Sequence, residues 1–140
     1  MEVNREMIAL GVRQPWAELI LRGEKTIEVR SRNTNVRGTI YLYASKKVST
    51  HPAAEKSAKQ HKIVPDEFPM GVLVGTVDII DCIPCKSRDA KAGCVSRRDV
   101  KGQYGWRLEN ACRLVKPLDV IFLPYGVWFY PFKRRPKTLE

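Results

Sequence analysis

The sequence lacks long hydrophobic runs, and nothing near its start has the apolar core of a signal peptide. No stretch approaches the ~18 consecutive apolar residues that a membrane-spanning helix requires. The first residues include the acidic side chains Glu2 and Glu6, which do not suit a secretory leader. We therefore expect an intracellular protein, cytoplasmic or nuclear, that has no membrane partner.

Metal-binding patterns are also scarce. Cys82 and Cys85 have the CxxC spacing of a half-site for zinc, but Cys94 and Cys112 form no second closely spaced pair. Cys82 ends an apolar run typical of a buried strand, where a thiol packs as a small hydrophobe. The two histidines have no evident partners. We expect no metal site, no cofactor and reduced thiols, with zinc or a redox pair as the alternatives.

Acidic residues are few relative to basic ones. The 140 residues contain 25 Lys and Arg against 15 Asp and Glu, which gives a formal net charge of +10. The excess lies in residues 1–50 and 101–140, whereas residues 51–100 are nearly neutral. Such an excess attracts polyanions, of which nucleic acids are the commonest inside cells, although it also serves solubility alone.

Length and hydrophobic content fit one globular domain over residues 1–140, with a basic C-terminal tail at 133–140. Helical spacing of apolar residues predicts helices at 15–21, which ends at Gly23, and at 52–61. Alternating or β-branched runs predict strands at 26–30, 39–44, 72–82, 104–109, 113–116, 120–123 and 127–132. Gly75 is expected to form a bulge, and residues 87–102 a mobile loop with at most a short helix. Many short strands with few helices indicate an α+β fold with a mixed, barrel-like sheet.

Three stretches carry a family resemblance. The first runs from Arg13 to Arg30 and contains QPW followed by GxKxxExR; the others are 69–82 and 104–110. In this order and at these separations they resemble the ASCH (activating signal cointegrator homology) domain family. The resemblance implies a PUA-like fold, a small mixed β-barrel with a few short flanking helices. It also implies a cleft beside the first helix, binding of RNA or DNA, and kinship with a branch that hydrolyses acetylated cytidine.

Charged side chains converge where the first helix gives way to the following strand. Strand periodicity places Glu28, Arg30 and Arg32 on one face, and Lys25 lies just before them. Glu28 is suited to accept from a base amino group and Arg30 to bind a phosphate. The same residues are also suited to general acid–base chemistry, or to a surface ion pair of little consequence.

Aromatic residues supply candidate stacking surfaces. Tyr41 and Tyr43 alternate with Ile40 and Leu42, and lysines follow them, so we expect an exposed stacking surface there, unless both strand faces are buried. Trp16 and Trp106 fit core positions better than base contacts. The complete set of candidate nucleic-acid contacts is Arg13, Gln14, Trp16, Lys25, Glu28, Arg30, Arg32, Tyr43, Ser45, Lys46 and Lys47.

A hydrolase is the alternative function, either a ribonuclease or a nucleoside amidohydrolase. Its candidate catalytic residues are Lys25, Glu28 and Asp78, the last as a partly buried carboxylate with a raised pKa. The deacetylating branch of the resembled family has a threonine nucleophile where this chain has Glu28, and a carboxylate is a poor substitute for a hydroxyl nucleophile. We therefore favour a monomeric binding module whose partner is RNA or another single-stranded nucleic acid, with a modified nucleoside as a further candidate.

Overall fold

The computed structural model describes residues 3–135, in which six strands form one mixed sheet curved into a half-barrel. The strands are β1 (Ala9–Val12), β2 (Ile27–Arg30), β3 (Gly38–Ala44), β4 (Val72–Pro84), β5 (Tyr104–Leu118) and β6 (Trp128–Phe129). Their order across the sheet is β2-β5-β4-β3-β1-β6, with β1 and β3 parallel and the other neighbours antiparallel. The predicted α+β fold with a mixed, barrel-like sheet is confirmed.

The helices are short, between four and nine residues long. They are α1 (Trp16–Leu21), α2 (Pro52–Gln60), α3 (Ala90–Gly93) and α4 (Arg97–Val100), with 3-10 turns at Pro65–Glu67 and Ser87–Asp89. After α1 the chain turns at Gly23, whose φ of +77° favours glycine. Both predicted helices are confirmed. In residues 3–135 we find no helix with the length and apolar character needed to cross a bilayer.

The central strands are buried on both faces of the sheet. On β3, Ile40 and Leu42 pack into one hydrophobic cluster, while Tyr41 and Tyr43 pack into a second cluster on the opposite face. Tyr43 is only 2% exposed and meets the ring of Phe129 edge-on, with ring centroids 5.1 Å apart. The prediction that Tyr41 and Tyr43 form an exposed stacking surface is therefore wrong, because β3 lies inside the sheet with both faces covered.

Gly75 permits the close approach of α1 to the long β4–β5 ribbon. The pairing register of β4 with β5 shifts between Leu73 and Gly75, as the predicted bulge requires. A Cβ at Gly75 would overlap the side chain of Leu21 and lie 2.5 Å from the carbonyl oxygen of Cys112. Glycine is therefore the residue that lets α1 sit directly on the sheet.

Several sequence predictions for the remaining segments are corrected. The strands predicted at 104–109 and 113–116 are one strand, β5, which continues through Asn110 at a φ of 55°. Residues 120–123 form no strand, and Ile121 and Leu123 are exposed. Residues 87–102 are not an irregular loop but two short helices and a 3-10 turn, anchored by the buried side chains of Ala90 and Val100.

The basic tail is only partly within the described residues. Lys133 forms an ion pair with Glu6 at 2.6 Å, and the guanidinium of Arg135 lies 4.7 Å from the ring centroid of Tyr125. The remainder of the predicted tail, residues 136–140, lies outside the described residues.

Candidate nucleic-acid interface

A cleft of about 610 Å³ opens beside α1 and the start of β2. Its floor comes from β1, β2 and the turn before β2, and its walls from the segment after β3, from α4 and its flanks, and from the loop before β6. The residues that line it are Gly11, Val12, Arg13, Trp16, Lys25, Glu28, Val29, Arg30, Ser45, Ser49, His51, Val95, Asp99, Gln103, Pro124, Gly126 and Val127.

Lys25 is the most enclosed charged group of the cleft, with 2% exposure. Its Nζ donates to the carbonyl oxygen of Gly93 in α3, and it lies 4.5 Å from the ring centroid of Trp16. Burial lowers the pKa of Lys25, although the nearby Glu28 acts in the opposite direction. The ammonium group is therefore held inside the protein by a carbonyl, an aromatic face and a carboxylate.

Glu28 lies between two cations. Its Oε1 is 3.8 Å from Nζ of Lys25, and its Oε2 accepts from Nε of Arg30 at 2.8 Å and contacts Nη2 of Arg30 at 2.7 Å. Arg30 also donates to the carbonyl oxygen of Gly11 on β1 at 3.2 Å, and its guanidinium lies 5.6 Å from the ring centroid of Trp106. The predicted convergence of Lys25, Glu28 and Arg30 is thus present, in an enclosed form that strand periodicity alone does not predict.

Exposed basic residues lie in the lining of the cleft and next to it in the chain. Arg13 lines the cleft and is exposed, and it makes no hydrogen bond or ion pair with another residue in the range 3–135. Ser45 and Ser49 line the cleft on another side, and the exposed Lys46 and Lys47 lie between them in the chain. We call Arg13, Lys46 and Lys47 the basic rim; its side chains are open to solvent.

One wall of the cleft contains polar residues to which the sequence assigned no role. Nε2 of His51, the N-cap residue that precedes α2, lies 3.5 Å from Oδ1 of Asp99 in α4. Gln103 lines the same wall. Ser96 and Asp99 have the spacing of a capping box, which indicates a helix start in the sequence. No local sequence pattern, however, indicates that α4 lines the same cleft as Lys25.

Other predicted contacts lie outside the cleft. Gln14 is 1% exposed and structural: its amide nitrogen donates to the carbonyl oxygen of Pro69, and its amide oxygen accepts from the backbone N–H of Glu18. Arg32 is exposed but is not among the lining residues, and its carbonyl accepts from the indole of Trp106. Tyr43 is buried in the core.

Asp78 is also absent from the cleft. Hydrogen bonds from Thr39 at 2.6 Å and from Asn110 at 2.9 Å lower its pKa, so the expected raised pKa is wrong. A carboxylate that accepts two such bonds is stabilised in its charged form. Its contacts link β3, β4 and β5 rather than contributing to the Lys25 site.

Metal ligands do not cluster in the described part of the chain: no group of three or more His, Cys, Asp or Glu is placed to hold an ion. The four cysteines are free, and Cys112 is exposed. The polar groups that line the cleft are ammonium, carboxylate, guanidinium, imidazole, amide and hydroxyl groups.

Comparison with known proteins supports the family resemblance carried by the QPW and GxKxxExR motifs. Residues 10–121 match the ASCH domain family. The chain belongs to this family. Activating signal cointegrator 1 of Homo sapiens is 39% identical to this ASCH chain over 84 residues, and the Mus musculus protein is 37% identical over 84 residues. Each match covers 55% of this chain and 14% of the relative, so the chain corresponds to a small part of those longer proteins.

Solved structures support the ASCH fold. The crystal structure of ASCH from Zymomonas mobilis matches with a TM-score of 0.62 at 13% identity, covering 91% of this chain and 88% of that chain. A point mutant of the same protein matches with a TM-score of 0.57 at 14% identity, covering 90% of each chain. At this level of identity the likeness supports the fold alone, which is the PUA-like fold that the motifs imply.

Proposed function

We propose that this ASCH domain binds RNA, or another single-stranded nucleic acid, through the cleft beside α1. The observation that carries the proposal is the basic rim: the exposed Arg13 lines a concave site, and the exposed Lys46 and Lys47 lie in the chain between two residues that also line it. Free cations of this kind neutralise backbone phosphates and release bound counterions. The net charge of +10 adds a long-range attraction to polyanions.

The shape of the site favours a single strand over a duplex. The cleft encloses about 610 Å³, a volume typical of sites that surround a small molecule or one nucleotide. A base enters such a site only when it is unstacked, which single-stranded loops and ends allow. We further propose that the protein acts as a monomer inside the cell; sedimentation velocity of the free protein tests the monomer.

Fluorescence anisotropy with labelled single-stranded RNA, single-stranded DNA and duplex DNA tests the proposal. Arg13→Ala removes a rim cation, and Arg88→Ala removes an exposed arginine that does not line the cleft. We expect Arg13→Ala to weaken RNA binding by about three- to tenfold, in the range of a lost phosphate contact, and Arg88→Ala to have little effect. Equal losses in the two variants would indicate non-specific attraction and would contradict a site in the cleft.

Salt dependence provides a second measurement on the same proteins. For a single strand, the slope of log K against log salt changes by about 0.7 for each phosphate contact. Arg13→Ala is therefore expected to reduce the magnitude of the slope by about that amount, while Arg88→Ala leaves it unchanged. An unchanged slope in Arg13→Ala would mean that this residue contacts no phosphate.

A hydrolase is the second candidate, because an amine whose pKa is lowered by burial lies beside a carboxylate in an enclosed cleft. Such a pair is suited to proton transfer. RNA recovered from the binding assay, and acetylated cytidine incubated with the protein, would be analysed for cleavage products by chromatography. Turnover that Lys25→Met abolishes would favour the hydrolase. Substrates that stay intact at high enzyme concentration would contradict the hydrolase and favour the binding module.

A further inference from the structure

The two cations on the cleft floor are already engaged within the protein. Lys25 directs its ammonium group at the carbonyl oxygen of Gly93, the ring of Trp16 and the carboxylate of Glu28. Arg30 binds Glu28 and the carbonyl oxygen of Gly11. Lys25 cannot turn to a phosphate without giving up these contacts, and the contacts of Arg30 use Nε and Nη2, which leaves Nη1 as its one nitrogen without a hydrogen bond to residues 3–135. We therefore assign phosphate binding mainly to the basic rim.

The carboxylate of Glu28 on the cleft floor can still accept a hydrogen bond from a ligand. Both short contacts of Glu28 with Arg30 use Oε2, whereas Oε1 accepts no hydrogen bond from residues 3–135 and has Nζ of Lys25 at the ion-pair distance of 3.8 Å. A carboxylate oxygen has two lone pairs, so Oε1 keeps the capacity to accept from a ligand in the cleft. Glu28 itself lines the cleft although it is only 5% exposed.

We infer that Glu28 selects a base with an exocyclic amino group, such as cytosine, over uracil, and that Lys25 and Arg30 are positioning residues that hold its carboxylate. This inference rests on the proposed function. The N4 amino group of cytosine donates to a carboxylate, which is a known pairing of acidic side chains with this base. Uracil presents the O4 acceptor at the same position, and two acceptors facing each other in an enclosed site are unfavourable.

The placement of charge along the cleft suits this orientation of a nucleotide. Glu28 is a nearly buried acceptor in the lining of the cleft and Arg13 is an exposed cation in the same lining, so a base that points at Glu28 leaves its phosphate toward solvent, where Arg13 lies. The cleft volume of about 610 Å³ is in the range of sites that bind a small ligand. Selection therefore acts on a single unstacked base, and the flanking strand adds affinity without sequence information.

The test compares two labelled RNA decamers, one of uridine only and one with a single central cytidine. We expect the wild type to bind the cytidine-containing strand about tenfold more tightly, the effect of one hydrogen bond to a charged group. Glu28→Gln should bring the two affinities to within about twofold, because an amide can rotate to offer either a donor or an acceptor. The matched control, Asp81→Asn, changes an exposed carboxylate outside the cleft and should keep the preference.

A change in the ligand avoids any effect of mutation on folding. A decamer whose central base is N4,N4-dimethylcytidine has no amino hydrogen to donate, so the wild type should bind it about as weakly as the uridine decamer. Tight binding of all three decamers with equal affinity would overturn the inference and leave the proposed function intact. Glu28→Gln that weakens binding to the uridine and cytidine decamers equally would also overturn it. No binding to any decamer would instead contradict the proposed function.

Discussion

Glu18→Gln tests the contacts that fix α1, and with it Lys25 and Trp16, against the sheet. Glu18 is 3% exposed, and its carboxylate accepts two hydrogen bonds from Arg113 on β5, both at 2.8 Å. It also accepts one from Arg22 at 2.7 Å. Glutamine has nearly the same shape, but it carries no charge and replaces one acceptor oxygen with an NH₂ group that faces a guanidinium.

The expected loss at neutral pH is about 2 kcal/mol of unfolding free energy. Hydrogen bonds to charged groups contribute ~1.5–3 kcal/mol each when they are buried. Here the side chains of Arg113 and Arg22 are 49% and 34% exposed, so solvent screens them and the larger values do not apply. The amide oxygen keeps part of the contact, and for a domain of this size the loss corresponds to a Tm lower by roughly 6–8 °C.

The effect should depend on pH in a defined direction. Burial alone would raise the pKa of Glu18, but hydrogen bonds and charges from Arg113 and Arg22 outweigh it and lower the pKa. A carboxyl whose folded pKa lies below its unfolded value stabilises the protein above the unfolded pKa, about 4.5. That stabilisation is lost as the pH falls through the folded pKa. The difference between the wild type and Glu18→Gln should therefore shrink on acidification.

Urea denaturation followed by circular dichroism, at about pH 7, 5 and 3.5, measures this difference. Glu109→Gln removes an exposed carboxylate from β5 and serves as the control, with an expected effect within about 0.5 kcal/mol. A difference between wild type and Glu18→Gln that stays constant down to the lowest pH would refute the electrostatic argument. A difference below ~0.5 kcal/mol at neutral pH would refute the estimated magnitude.

Three further predictions concern the site and its support. Lys25→Met should lower the unfolding free energy by about 1–3 kcal/mol in urea denaturation, because it leaves the carbonyl of Gly93 without its donor; unchanged stability would contradict this contact. Gly75→Ala should cost about 3 kcal/mol, since its Cβ meets the backbone, whereas at Gly126 the nearest atom to a Cβ is 3.7 Å away and alanine should be tolerated. Asp78→Asn should keep RNA affinity within about twofold in anisotropy titrations, because Asp78 is absent from the cleft; a loss as large as that of Arg13→Ala would contradict this placement.

Local patterns predicted those parts of the fold whose structure depends on neighbours in the sequence. Helical spacing predicted α1 and its end at Gly23, and a glycine in a β-branched run predicted the bulge at Gly75. The strand β1 was missed because it is short and its residues are buried on both faces, so no polar–apolar alternation is present. Strand β5 was divided in two because Asn110, typical of a turn, occurs at an irregularity within the strand instead.

The site likewise combines residues that are close in sequence with residues that only the tertiary structure brings together. The motif residues Lys25, Glu28 and Arg30 were predicted together because they are close in sequence. His51, Asp99 and Gln103 reach the cleft from α2 and from the segment around α4. Only tertiary structure brings those elements to the motif, so no local signal could identify the second wall.

Burial also changes the roles that the motif residues can take. A lysine next to a glycine turn suggests a mobile cation for a phosphate, but Lys25 is enclosed and its donors are directed at groups of the protein. Because an enclosed cation and Arg30 flank Glu28, the carboxylate is held in place by contacts that the ligand does not have to provide. Under the proposed function, the part of the motif that meets a ligand is the acceptor Glu28, and we propose Arg13, Lys46 and Lys47 as the exposed cations that attract the nucleic acid. Recognition and attraction are therefore assigned to different residues, which Glu28→Gln and Arg13→Ala separate: the first should alter base preference, and the second the salt dependence.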